Sequence, residues 1–256
     1  MAAAIANPLD RFRMTTALAV PRIIAASVGG PGAGKTRFWM TAPEPVVFQS
    51  LDWGMEGVVD KFQEDFAEAN GRLKQIRVRD YNWAPTAEDE KQDGFQQEAI
   101  KLRNEFIADF LVACEHARTV VWDKETDVWN LFRYAEFGKP KGDQARDFDK
   151  ANQLMRKYIN HPKKLTINFG LIQDVKDEWV SQNKKSGAVQ RAGFREVAGL
   201  VHVDLWHDRR EGKFFTLVGK ARGAGAADVQ DKEFENLTVT TLGMALFPET
   251  DVEDWK

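Results

Sequence analysis

The chain has 256 residues, a net charge of −3, 43% hydrophobic residues and a single cysteine. That length suits one large α/β unit or two small ones, and the apolar share suits a packed core rather than a disordered chain. The charge excludes a global basic field, so any nucleic-acid contact needs a local patch, and the lone Cys114 excludes both an internal disulfide framework and a multi-cysteine metal site.

One cysteine also fits a reducing compartment, and the expected location is cytoplasmic. No apolar run approaches the length of a membrane span. Residues 1–21 lack the charged start and apolar core of a secretory signal and are expected to be a lead-in. Residues 22–256 are expected to form a single domain, since no linker, repeat or low-complexity segment interrupts them.

The first element is "IIAASV", residues 23–28, an uncharged apolar run of the kind that forms a fully buried parallel strand. "GGPGAGKT" follows, from Gly29 to Thr36. Its Gly-x-x-x-x-Gly-Lys-Thr pattern is the phosphate-binding loop signature. Glycines let the backbone turn its N–H groups inward and come close to an anion. Lys35 would then reach the β- and γ-phosphates, and the Thr36 hydroxyl would ligate Mg²⁺. "KTRFWMTA" reads as the short helix this motif requires, stopped by Pro43 and Pro45. The nucleotide-binding set is therefore Gly29, Gly30, Pro31, Gly32, Ala33, Gly34, Lys35, Thr36 and Arg37. The alternative is a glycine-rich surface turn.

"VVFQS" (46–50) is a second strand. In residues 55–70, Val58, Phe62 and Phe66 mark a helical stripe that Gly71 ends. Residues 72–81 alternate and read as a strand near an edge. Residues 95–117 form the clearest helix, with Phe95, Leu102, Phe106, Phe110 and Cys114 on one stripe, so Cys114 is expected in the core. "TVVWD" (119–123) is a strand, 126–138 a helix ending at Gly138, and a charged bend leads to a helix within 144–160. Strands follow at 165–174 and 200–206. A turn at Glu211 and Gly212 feeds another strand before residue 222. Helices alternate with strands in the first two-thirds and strands dominate afterwards. The expected fold class is α/β, a mostly parallel central sheet flanked by helices with an antiparallel C-terminal extension.

A phosphate loop needs an aspartate at the end of a buried strand to hold magnesium. Asp123 closes "TVVWD" and fits, though capping the next helix is the alternative. Hydrolysis also needs a group that orients water. Asp52, just beyond the second strand, is the first candidate, and Glu56 and Glu125 are rivals. Gln173, ending "INFGLIQ", either contacts the γ-phosphate or makes an ordinary backbone hydrogen bond.

Residues 181–195 read "SQNKKSGAVQRAGFR", with Lys184, Lys185, Arg191 and Arg195 and no acidic residue. This reads as a flexible cationic loop suited to phosphate-backbone contact, with Trp179 and Phe194 available to stack on bases. A plain solvated loop is the alternative. Histidines 116, 161, 202 and 207 show no metal-ligand spacing, and His202 and His207 read as structural. Lys220 and Arg222 lie two apart at a strand end, so both point the same way.

In chain order, "GGPGAGKT", "VVFQSLDWG", "TVVWD", "LIQDVKDEW" and "GKAR" resemble the RecA-like core P-loop ATPases over about residues 22–240. The pattern is most similar to phage nucleotide-binding proteins of the Sak-type single-strand annealing group, relatives of the RadA-type recombinases. The resemblance implies an ATP- and Mg²⁺-dependent ATPase, associated with and stimulated by single-stranded DNA, that acts in recombination or annealing. It implies a homo-oligomer with ATP at the protomer interface, and it allows a single-strand DNA-binding protein as a further partner. It assigns Asp52 as the acidic base, Asp123 as the magnesium aspartate and Gln173 as the γ-phosphate sensor. Lys220 and Arg222 become a pair that reaches the neighbour's ATP. Lys124 departs from the family pattern, which usually has a small hydroxyl residue there. The competing readings are a small-molecule or nucleotide kinase, and a nucleotide-gated scaffold or helicase loader with little turnover.

Overall fold

The computed structural model of the protein describes residues 21–52, 54, 55, 57–138, 148–181 and 184–256. Residues 1–20 of the expected lead-in, the candidate base Glu56 and most of the charged bend lie outside the described residues, as do the side chains of Trp179, Lys184 and Lys185.

An eight-stranded sheet organises the chain. Its first strand, β1 (Ile24–Val28), is buried at every position, as an uncharged central strand must be. Parallel to it run β2 (Val46–Ser50), β3 (Ile76–Asp80), β4 (Thr119–Asp123), β5 (Asn168–Gln173) and β8 (Val203–Arg210). The edge strands β9 (Lys213–Lys220) and β10 (Glu233–Glu235) are antiparallel, so the order is β10-β9-β8-β1-β5-β4-β2-β3. A separate two-stranded ribbon, β6 (Val175–Ser181) with β7 (Lys184–Arg191), stands off the sheet.

Helices cover both faces. On one face α3 (Phe95–His116), α4 (Glu125–Phe137) and α5 (Asp149–Asn160) bury Phe106, Phe110, Leu131 and Ile159 against Trp122 and Phe169. Cys114 is in this cluster, as its place on the α3 stripe requires, and burial pushes its thiol up to about 12. On the other face lie α1 (Lys35–Met40), α2 (Val58–Asn70) and α6 (Val239–Leu246), which join Phe38, Trp39, Phe48 and Leu242. Gly170 of β5 is what lets α1 lie flat. A Cβ there would come within 2.5 Å of the Trp39 ring, whose Nε1 donates to Ser27 Oγ at 2.9 Å. That contact fixes the helix that carries Lys35 and Thr36.

The stripe expected on α2 is looser than its spacing implies. Val58 is 40% exposed, and Val59 and Phe62 pack only partly against the core. Steps of four residues drift about 40° around a helix each time, which carries Val58 to the side of the contact face. The hairpin turn at Glu211 and Gly212 has positive φ at both residues (51° and 80°), the geometry that matches strand twist.

Two expectations for the C-terminal third are corrected. Within the segment 181–195, read as a flexible cationic loop, residues 184–191 are strand β7, paired antiparallel with β6, which carries Asp177 and Glu178. Phe194, read as a base-stacking side chain, is 2% exposed and packs in the core. Burying that ring removes more apolar surface from water than exposure would allow.

Candidate nucleotide site

The site is built by strand register. Ser50 pairs with Asp123, Asp123 with Ile172, and Val28 with Gln173. The carboxyl ends of β2, β4, β5 and β1 are therefore level, and the residues that follow them meet at one rim.

Residues 29–34 form the loop between β1 and α1. Gly34 precedes α1 with φ 95°, a left-handed conformation that costs any other residue dearly, and a Cβ there would sit 2.5 Å from the Phe214 ring. Lys35 is only 7% exposed. Its ammonium donates to the Gly29 carbonyl at 2.6 Å and the Gly30 carbonyl at 2.9 Å, and lies 3.4 Å from Asp174 Oδ1. Burial pulls its pKa below the usual lysine value, and the charge of Asp174 works the other way.

Thr36 Oγ1 donates to Asp123 Oδ2 at 3.0 Å. Burial raises the Asp123 carboxyl to about 6, against the Thr36 hydrogen bond. A hydroxyl and a nearly enclosed carboxylate, both hard oxygen donors, fit Mg²⁺, and a dication beside Asp123 would offset the cost of burying its charge. Among the described residues no group of three or more His, Cys, Asp or Glu is placed to hold a metal. A magnesium ion here would therefore draw its remaining ligands from phosphate oxygens and water, as this cation commonly does.

Around this pair stand groups from three further segments. Asp52 Oδ2 lies 2.8 Å from Lys124 Nζ, and its Oδ1 accepts from the Gly54 N–H at 2.9 Å. Lys124 Nζ is also 3.4 Å from Asp174 Oδ2. Burial works to lower the Lys124 pKa, but the Asp52 hydrogen bond and the charges of Asp174 and Asp52 hold it above the usual range. The Asp123–Lys124 peptide is cis. Asp127, one helical turn on, is raised by burial to about 6. Beside the loop a cleft of about 410 Å³ is lined by Gly34, Arg37, Met40, Val58, Phe62 and Phe214. Another, of about 490 Å³, lies between β3 and α3 and holds none of these charged groups.

The other expected site residues differ in their surroundings. Glu125 stands beside Gln173, at the end of β5. It is fully buried, accepts from Gln173 Nε2 at 2.7 Å, and is raised by burial to about 8. Gln173 also donates to the Ala192 carbonyl at 3.1 Å, and its oxygen accepts from Arg191 at 3.0 Å. Its amide is thus taken up inside the chain. Arg191 is not presented to a polymer: its guanidinium grips both oxygens of Asp204, at 2.8 and 2.6 Å. Lys220 donates to the carbonyls of Ala198 and Val201, the latter at 2.9 Å, within its own chain. Arg222 is exposed, near Lys163 and His202, at the amino end of the parallel strands. Arg195 is exposed just beyond the ribbon, and Arg37 lies 5.5 Å over the Phe214 ring.

Sequence reasoning overlooked Asp174, Phe214 and Asp204. Asp174 stands in the quoted "LIQDVKDEW", one residue past a strand end, and that position was the available signal. Phe214 and Asp204 carried none.

No family model matches the chain, and no curated protein matches it. Among solved structures it is similar to the RadB recombinase, at 12% identity and a TM-score of 0.50, covering 83% of this chain and 86% of that one. At that identity the likeness concerns the fold, and the fold is RecA-like: a mostly parallel sheet flanked by helices, with antiparallel strands at one edge.

Proposed function

We propose that this chain is an ATP-binding and ATP-hydrolysing protein of the recombination type, in which residues 22–256 work as one unit. The observation that carries the reading is the convergence of Lys35, Thr36, Asp123 and Asp52 at the rim of the sheet around a loop of phosphate-binding sequence. Lys35 offsets the β/γ charge, Thr36 and Asp123 hold magnesium, and Asp52 orients the attacking water. Bound magnesium supplies charge neutralisation across the phosphate oxygens.

Single-stranded DNA is the polymer partner in this reading. Lys184 and Lys185, on the ribbon, and Arg195 make phosphate contacts without reading bases. Arg222 reaches the nucleotide of a neighbouring copy. The finer placement, with phage single-strand annealing ATPases acting in the cytoplasm, rests on the sequence resemblance.

The test is ATP turnover with and without a short single-stranded oligonucleotide, alongside native mass measurement in ATP and Mg²⁺. DNA-stimulated turnover by an oligomer is expected. Turnover indifferent to DNA, with transfer to a small acceptor, would replace this reading with a kinase.

A further inference from the structure

We propose that Lys124 is a second cation for the terminal phosphate of the nucleotide, supplied by the same chain as the loop. This rests on the function proposed above and names a residue which that reading does not use.

The two carboxylate oxygens of Asp174 each face a different ammonium group, Lys35 at Oδ1 and Lys124 at Oδ2, both at 3.4 Å. One small anion thus bridges two lysines that approach from different strand ends. One of those lysines belongs to the phosphate loop. A terminal phosphate, with three acceptor oxygens and more charge than a carboxylate, suits the same two donors better.

Exposure points the same way. The side chains of Lys124, Asp52 and Asp174 are 31%, 23% and 31% exposed, and Asp174 meets Lys35 of the loop. The Arg191–Asp204 pair, by contrast, is 13% and 10% exposed, and Arg191 Nη2 meets both carboxylate oxygens while Nη1 holds Gln173. That pair has the form of a structural clamp. Lys124 is held at two longer or single-point contacts and keeps access to solvent.

Charge balance gives a third reason. Asp52, Asp123, Asp127 and Asp174 surround Lys35 and Lys124, so carboxylates outnumber ammonium groups at the rim. A magnesium ion at Thr36 and Asp123 makes up that difference. A triphosphate then adds negative charge beside Asp174, and like charges at that range repel. Lys124 can satisfy the phosphate by leaving Asp174 and keeping Asp52. In that arrangement it stands between the terminal phosphate and the residue that orients water, where charge develops during phosphoryl transfer.

The experiment compares the affinities for ATP and for ADP, each with Mg²⁺, by calorimetry on wild type, Lys124→Met and Lys124→Arg, with thermal melting as a check on folding. A charged hydrogen bond made only to the terminal phosphate predicts that Lys124→Met loses roughly tenfold or more in ATP affinity while ADP affinity changes less than about twofold. Lys124→Arg should keep most of the preference. If Lys124→Met does not fold, Lys124→Gln, which keeps a donor without the charge, replaces it with the same expected split. Equal losses for both nucleotides, or no change in either, would overturn the proposal and leave the nucleotide site standing. A wild type that binds neither nucleotide would overturn the nucleotide site itself, and this inference with it. Mixing Lys124→Met with Lys35→Ala should restore no turnover, because both lesions lie in one pocket. Rescue would place Lys124 in a neighbour's site and refute its action within its own chain.

Discussion

Arg191 Nη2 donates to both carboxylate oxygens of Asp204, an ion pair that ties the root of the β6–β7 ribbon to strand β8. Removing one partner leaves a charge that is 10% exposed without its counter-ion. Breaking such a buried pair typically costs about 3–5 kcal/mol. Arg191→Ala should therefore lower stability by that order in a denaturant titration. Arg195→Ala, on the exposed side, should change it by less than about 0.5 kcal/mol. Equal stabilities would mean that the pair does not anchor the ribbon.

Lys35→Ala should lose roughly tenfold or more in ATP affinity, because Lys35 carries the one positive charge among residues 29–36. Asp123→Asn should keep part of that affinity and lose its dependence on Mg²⁺, since an amide is a poorer ligand for a hard cation. Calorimetry with and without EDTA separates the two, and Mg²⁺ dependence that survives in Asp123→Asn would move the metal elsewhere.

Gly34→Ala meets two obstacles, a left-handed backbone and the Phe214 ring. The first costs about 1–2 kcal/mol. The second disappears if Phe214→Ala is added. The single variant should melt lower and bind ATP more weakly than wild type, and the double variant should recover only part of the loss. Full recovery would show that the backbone conformation at Gly34 imposes no cost.

His207 lies beneath the loop, buried, with Nδ1 3.1 Å from Thr216 Oγ1 and no partner at Nε2 among the described residues. Burial, helped by the charge of Lys35, lowers its pKa to about 3. The unfolded chain therefore binds a proton that the folded chain refuses between the ordinary histidine value and about 3. Its contribution to stability is complete above pH 6.5 and falls as pH drops through that window, by up to a few kcal/mol. His207→Asn, which keeps a short polar partner for Thr216, should flatten the acid limb of a melting-temperature profile between pH 6.5 and 4. An unchanged limb would assign the acid loss to other groups.

Arg222→Ala should bind ATP normally and turn over slowly, because the residue lies at the opposite end of the strands from its own loop. Mixed with Lys35→Ala, it should regain activity through a sound pocket on one chain and a sound arginine on the other. Lack of rescue in proteins that co-assemble would confine Arg222 to its own chain.

Residues 23–40 declare a buried strand, a phosphate loop and a short helix by themselves, because those properties are local: an apolar run, a glycine pattern, and a lysine followed directly by a threonine. Asp123 is legible for the same reason, as the lone charge closing a buried run. The mostly parallel sheet follows from strands separated by helices, and the edge position of β3 from its alternating charges. What only the tertiary structure decides is which charge meets which. Lys124, Asp52 and Asp174 are far apart in the chain and meet because parallel register levels three strand ends at one rim. The same physics turned Arg191 and Phe194 towards partners inside the chain. A cation near a buried carboxylate or orphan carbonyls is held there by the cost of leaving those groups unpaired, and an aromatic ring by the surface it removes from water. Neither cost is visible until the partner, supplied by another segment, is in place.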